Sequence, residues 1–132
     1  MSKCASYDYH VYGQTFSSDR EFLCCLSPGL RPPTLHLSFA PAPPWSAEDW
    51  KRSVRVSPPA PDRGIEIGRS ERGWSMRLPE IAEFSSEGDR FLGHLVDPDA
   101  AILGELAFLD CSLPFFLELG GVPFLHASAV EY

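Results

Sequence analysis

Between residues 64 and 96 the chain reads GIEIGRSERGWSMRLPEIAEFSSEGDRFLGHLV. Within it, residues 64–68 (GIEIG), 73–78 (GWSMRL), 81–85 (IAEFS) and 90–96 (RFLGHLV) are short, partly alternating stretches divided by glycine and charge. A period of two sends successive side chains to opposite faces of a strand, and short strands with turn residues between them pair with their sequence neighbours. Ser86-Glu87-Gly88-Asp89 supplies a hairpin turn in which Gly88 is free to take a positive φ. This pattern predicts an antiparallel β meander.

Upstream, residues 7–16 (YDYHVYGQTF) are rich in Tyr, Val, Phe and Thr and predict one opening strand, ended by Ser17-Ser18-Asp19. After a short apolar patch at 22–26, residues 28–61 hold nine of the 13 prolines, with 34–39 (TLHLSF) the clearest strand among them. Proline removes a ladder donor, so that density predicts edge strands and extended loops, with no central strand or long helix. Ser46-Ala47-Glu48-Asp49-Trp50-Lys51 predicts one helical turn with Ser46 as N-cap and Asp49 closing a capping box.

Downstream, Asp97 can cap a helix whose first position is Pro98. Ile102, Leu103, Leu106, Ala107, Leu109 and Leu113 recur at three- and four-residue spacings, predicting a buried stripe with Glu105 and Asp110 turned to water. Pro114 should kink or divide the helix, and Gly120-Gly121 should stop it. Residues 122–132 (VPFLHASAVEY) read as a terminal strand. The chain is thus expected to be one α+β domain. It divides into a proline-rich strand and loop part (1–63), a β meander (64–98), a kinked helix (99–121) and a terminal strand (122–132).

Composition sets bounds on function. The 132 residues carry 11 Lys+Arg against 18 Asp+Glu, a formal charge of −7, the wrong sign for a nucleic-acid backbone partner. Residues 64–132 hold 4 basic and 12 acidic side chains, and no Lys or Arg follows Arg90. That leaves either a solvated acidic face or a surface that meets something basic. Lys3 and Lys51 are the only lysines and neither follows a glycine, so no Walker A loop is present. Cys4, Cys24, Cys25 and Cys111 form no zinc-ligand spacing. No metal site is expected, and free thiols in a reduced cytoplasmic setting fit these cysteines. Glu105, Asp110, Glu118 and Pro114 interrupt the apolar stretch 100–119, so no membrane span is expected.

Candidates for chemistry are few. His10, His36 and His94 lie in strand-like stretches, where half-buried structural histidines are common. Cys25 has Arg20 nearby but no helix N-terminus to activate its thiol. Trp45, Trp50 and Trp74 are candidates for an aromatic binding face, or else for core and loop anchors. His126, with Ser128, puts a polar pair into an otherwise buried-looking strand; it is a core histidine satisfied by carbonyls or a residue of a site.

Gly120-Gly121-Val122-Pro123-Phe124-Leu125-His126-Ala127-Ser128-Ala129-Val130 resembles the segment that precedes the P-loop in HPr-kinase-like serine kinases, which read LHASAV before a turn, a strand and a Gly-rich GKS/T loop. Residues 9–19 (YHVYGQTFSSD), 81–85 and 103–119 are similar to that family's opening strand, meander and pre-core helix. The resemblance implies the N-terminal portion of an ATP-dependent protein serine kinase, with a terminal strand leading toward a P-loop core. The nucleotide loop and magnesium-binding acids of the family have no counterpart in these 132 residues. The chain is therefore expected to be non-catalytic as it stands, with ATP and magnesium implied only for a complete family member. Of the family's active-site neighbourhood only His126 carries over, as a vestige or half of a site. Implied partners are a small protein or peptide bearing a serine, or a separate kinase core. The alternative is a non-catalytic peptide- or protein-binding module.

Overall fold

The computed structural model describes residues 6–24, 26–56 and 64–119. The fold is mixed α+β, built on one nine-stranded sheet in the order β3-β1-β2-β4-β9-β8-β7-β6-β5, closed on one face by a C-terminal helix. The meander is present as β6 (Glu66–Ser70), β7 (Gly73–Leu78), β8 (Ala82–Glu87) and β9 (Arg90–Leu95), each antiparallel to the next. Glu87 pairs with Arg90, so the last turn is Gly88-Asp89, with Gly88 at φ 65°.

Two upstream expectations are corrected. Residues 7–16 are two strands: β1 (Tyr7–Val11) and β2 (Gln14–Ser18) form a hairpin about Tyr12-Gly13, whose φ angles of 53° and 74° give the twist that tight hairpins require. The alternation continues through this turn, which hides it from a periodicity reading. β4 (Leu35–Phe39) is a central strand, parallel to β2 on one side and to β9 on the other. Its five residues contain no proline; Pro32, Pro33 and Pro41 stand outside it, so every N–H of the strand remains available. β3 (Ser27–Pro28) caps the β1 edge, and β5 (Val54–Val56) the β6 edge.

Cross-strand partners define the faces. Met76, Phe84 and Gly93 are in register with Phe39, and Trp74, Ser86 and Phe91 with Leu37, so these side chains share one face with Phe16 and Ile67. The helix over 98–119 lies on that face. It starts at Asp97, whose carboxylate accepts the Asp99 N–H at 3.0 Å, and runs through a 3-10 turn, α2 (Ala101–Ala107), a widened π turn (Phe108–Ser112) and α3 (Leu113–Leu119). Pro114 has no N–H to offer the Asp110 carbonyl, and the widened turn directly before it absorbs the break. Phe108 lies at the centre of the core with its ring 5.2–6.4 Å from those of Phe16, Phe22, Phe84 and Phe91.

The helix is turned differently from its apolar spacing. Ala101, Gly104, Glu105 and Ala107 face inward, whereas Ile102, Leu103 and Leu106 are exposed. Close approach fits this orientation: a Cβ at Gly104 would collide with Leu95 Cδ2, displacing that side chain, and stand in ordinary contact with Ala82, so small residues face the sheet and the leucines are carried outward. By length and composition this helix could cross a bilayer, yet over half of its most apolar window is buried within the protein. The terminal strand, Cys4 and Cys25, Gly120-Gly121 and His126 lie outside the described residues.

Candidate functional site

The second face of the sheet is polar, and its geometry follows from register. Glu66, Arg77, Glu83 and His94 are successive cross-strand partners, a row of alternating acidic and basic residue types across β6, β7, β8 and β9. Arg77 reaches both Glu66 oxygens at 3.2 and 3.0 Å, and Arg55 of β5 adds a 2.5 Å bond from the side. The hydrogen bonds from Arg77 and Arg55 hold the Glu66 carboxyl below its ordinary range. Glu83, only 5% exposed, lies 3.7 Å from Arg77, and burial pushes its carboxyl upward against the opposing pull of Arg77 and His94. His94 donates from Nδ1 to the Ala40 carbonyl at 3.0 Å, tying the row to the end of β4.

The predicted helical turn is α1 (Ala47–Arg52), and it covers one end of this polar face. Ser46 Oγ accepts the Asp49 N–H at 3.1 Å while Asp49 accepts the Ser46 N–H at 2.8 Å, completing the capping box and lowering the Asp49 carboxyl. Trp45 and Trp50 meet edge to face at 5.0 Å above Gly68, and the guanidinium groups of Arg77 and Arg55 stand 4.4 and 4.8 Å from the Trp50 ring centre. At 4% and 3% exposure these two indoles anchor α1 to the sheet and offer no aromatic surface.

Trp74 is on the opposite face, its ring 5.6 Å from that of Phe115. It therefore shares no face with Trp45 and Trp50, and the three-tryptophan platform does not form. Trp74 does line a cleft of about 370 Å³ at the C-terminal end of the helix, with Phe91, Phe116, Leu117 and Leu119 as apolar walls and Gln14, Thr34 and Ser86 on its polar side. Its described lining is uncharged, with the hydroxyls of Thr34 and Ser86 and the Gln14 amide as polar groups beside the apolar walls, the composition of a small ligand-binding cleft.

The remaining sequence candidates are placed separately. His10 on β1 and His36 on β4 are exposed, and His94 is half-buried in the row described above. Cys24 and Cys111 are half-buried. Burial, reinforced by a hydrogen bond with Glu105, pushes the Cys24 thiol up to about 11, the opposite of an activated nucleophile. Lys51 is exposed on α1, so the described residues offer no lysine-and-glycine cradle for a nucleotide phosphate.

Sequence reasoning missed Glu105, which is fully buried and accepts the N–H groups of Leu23 and Cys24 at 2.8 and 2.9 Å. The signal was its position among Ala101, Gly104 and Ala107, the small residues that mark the close-packed side. Compared with protein-family models, curated proteins and solved structures, the chain matches none of them.

Proposed function

We propose that the chain is the N-terminal portion of an HPr-kinase-like protein serine kinase, a binding and presenting element that performs no phosphoryl transfer by itself. One observation carries the reading: Leu125-His126-Ala127-Ser128-Ala129-Val130, the string that leads to the P-loop in that family, follows in sequence six residues after Leu119, the last described residue of the helix and one that lines the Trp74 cleft. The mixed α+β fold, with an antiparallel meander ahead of a divided helix, is compatible with it. Because the sequence holds no Walker A loop, the nucleotide chemistry of that family would belong to a core joined to this chain or meeting it. The substrate is then a serine on a small protein or peptide, and the free thiol of Cys24 suits a cytoplasmic setting.

The test is calorimetric titration of magnesium-ATP into the 132-residue chain and into a version lengthened by the coding sequence that follows the Tyr132 codon. Binding by the lengthened protein alone supports the kinase reading. Binding by neither, with both folded, overturns it. In a protein that transfers phosphate, unchanged turnover after His126→Ala would remove His126 from the site. The second reading, a non-catalytic peptide-binding module, is favoured by the cleft at Trp74, whose described lining is uncharged, with apolar walls and a polar side at Gln14, Thr34 and Ser86.

A further inference from the structure

Among the described residues the outward face of α2 is left uncovered. Ile102, Leu103 and Leu106 are 49%, 54% and 41% exposed, and their spacing places them on one stripe of the helix. Leu23, 62% exposed, is held against the same helix by the bond from its N–H to Glu105. Clustered apolar side chains beside a closed core mark an interaction surface more often than a solvated one.

The charges around the stripe select the partner. Asp99 lies one turn before Leu103 and Asp110 one turn after Leu106, both exposed, so an acid stands at each end of the apolar triad about 16 Å apart along the axis. Residues 91–132 contain no Lys or Arg, and the cation that lines the cavity beside Pro98 is Arg20. A second copy is disfavoured by the same arrangement: any two-fold pairing of this face brings acid against acid. An anionic lipid surface is disfavoured likewise.

We propose that this face docks a basic amphipathic helix of another protein, with apolar side chains packing on Ile102, Leu103 and Leu106 and a Lys or Arg near each end reaching Asp99 and Asp110. The proposal stands apart from the kinase reading, since it uses neither the Trp74 cleft nor residues 120–132. Occupant and surface then match in the usual manner of a helix laid on an apolar strip with a charged rim.

The test is fluorescence anisotropy with the intact 132-residue chain and three labelled peptides of about 18 residues, long enough for several turns. One is Leu-rich with helical spacing and Lys at both ends, one is its scrambled isomer, and one carries Glu in place of Lys. The Lys-ended amphipathic peptide should bind at least about tenfold more tightly than either control. The double variant Leu103→Ser, Leu106→Ser, with unchanged thermal melting, should lose that binding. Asp99→Lys with Asp110→Lys should transfer the preference to the Glu-ended peptide. Equal binding of the scrambled peptide, or retention by the double serine variant, overturns the proposal. So does a dimer in sedimentation that the serine variant dissociates, or co-sedimentation of the chain with phosphatidylserine or phosphatidylcholine vesicles.

Discussion

The Glu105 carboxylate receives the backbone N–H of Leu23 at 2.8 Å across 82 positions of sequence, so a buried charge on the C-terminal helix fixes the loop that follows β2. Charge-assisted bonds to two consecutive amides make this loop an integral part of the core, with Phe22 packed against Phe16 and Phe108 directly beside it.

Glu105→Ala should therefore be severe. It leaves the Leu23 and Cys24 amides without an acceptor, and about 3 kcal/mol or more of stability should be lost in urea denaturation. Glu105→Gln, which keeps one acceptor oxygen, should recover part of that loss.

The orientation of α2 gives a contrast between neighbouring positions. Gly104→Leu should destabilise by about 1–3 kcal/mol, because the added side chain meets Leu95 and Ala82. Leu103→Ser, on the exposed side, should change stability by about 0.5 kcal/mol or less. Parallel thermal melts of the two variants check the assignment of faces, and the opposite ranking would reverse it.

The charged row predicts opposing pH responses. Glu66 is held below its unfolded value by Arg77 and Arg55, so its contribution is present above the ordinary carboxylate range and is lost as pH falls through the folded value. Glu83 is raised by burial, so the stability linked to its protonated form is present in acid and lost as pH rises through the folded value. Glu83→Gln should accordingly raise stability at pH 7 relative to pH 4, whereas Glu66→Gln should lower it, as read from denaturation midpoints at the two pH values.

Cys24 should be a poor nucleophile. With its thiol pushed to about 11, a variant retaining Cys24 as its sole cysteine should react with iodoacetamide at pH 7.5 about a hundredfold more slowly than a free cysteine peptide. Glu105→Gln, which removes the neighbouring negative charge, should accelerate that reaction.

What could be read from sequence followed from local signals. The meander announced itself by period-two stretches with glycine between them, and Ser46 with Asp49, like Asp97 before Pro98, marked helix starts that the structure contains. The missed features depend on partners distant in sequence. A helix's apolar residues show its period without showing which side meets a sheet too close for leucine, and so Glu105 and Leu106 exchanged places. The central position of β4 likewise depended on β9, encoded some fifty residues later. The Trp45 and Trp50 pair could be recognised as aromatic, but its burial rests on Gly68, which nothing near either indole announces.

The two parallel pairings that join β2 to β4 and β4 to β9 also bear on how the chain reaches this structure. Each hairpin on either side can close locally within microseconds, while the β4–β9 seam must wait for the whole intervening segment to be gathered. Assembly should thus proceed in two blocks, the β1–β2 hairpin and the meander, with β4 as the late strand that joins them. In amide exchange, protection in β4 should be acquired after that in β7 and β8.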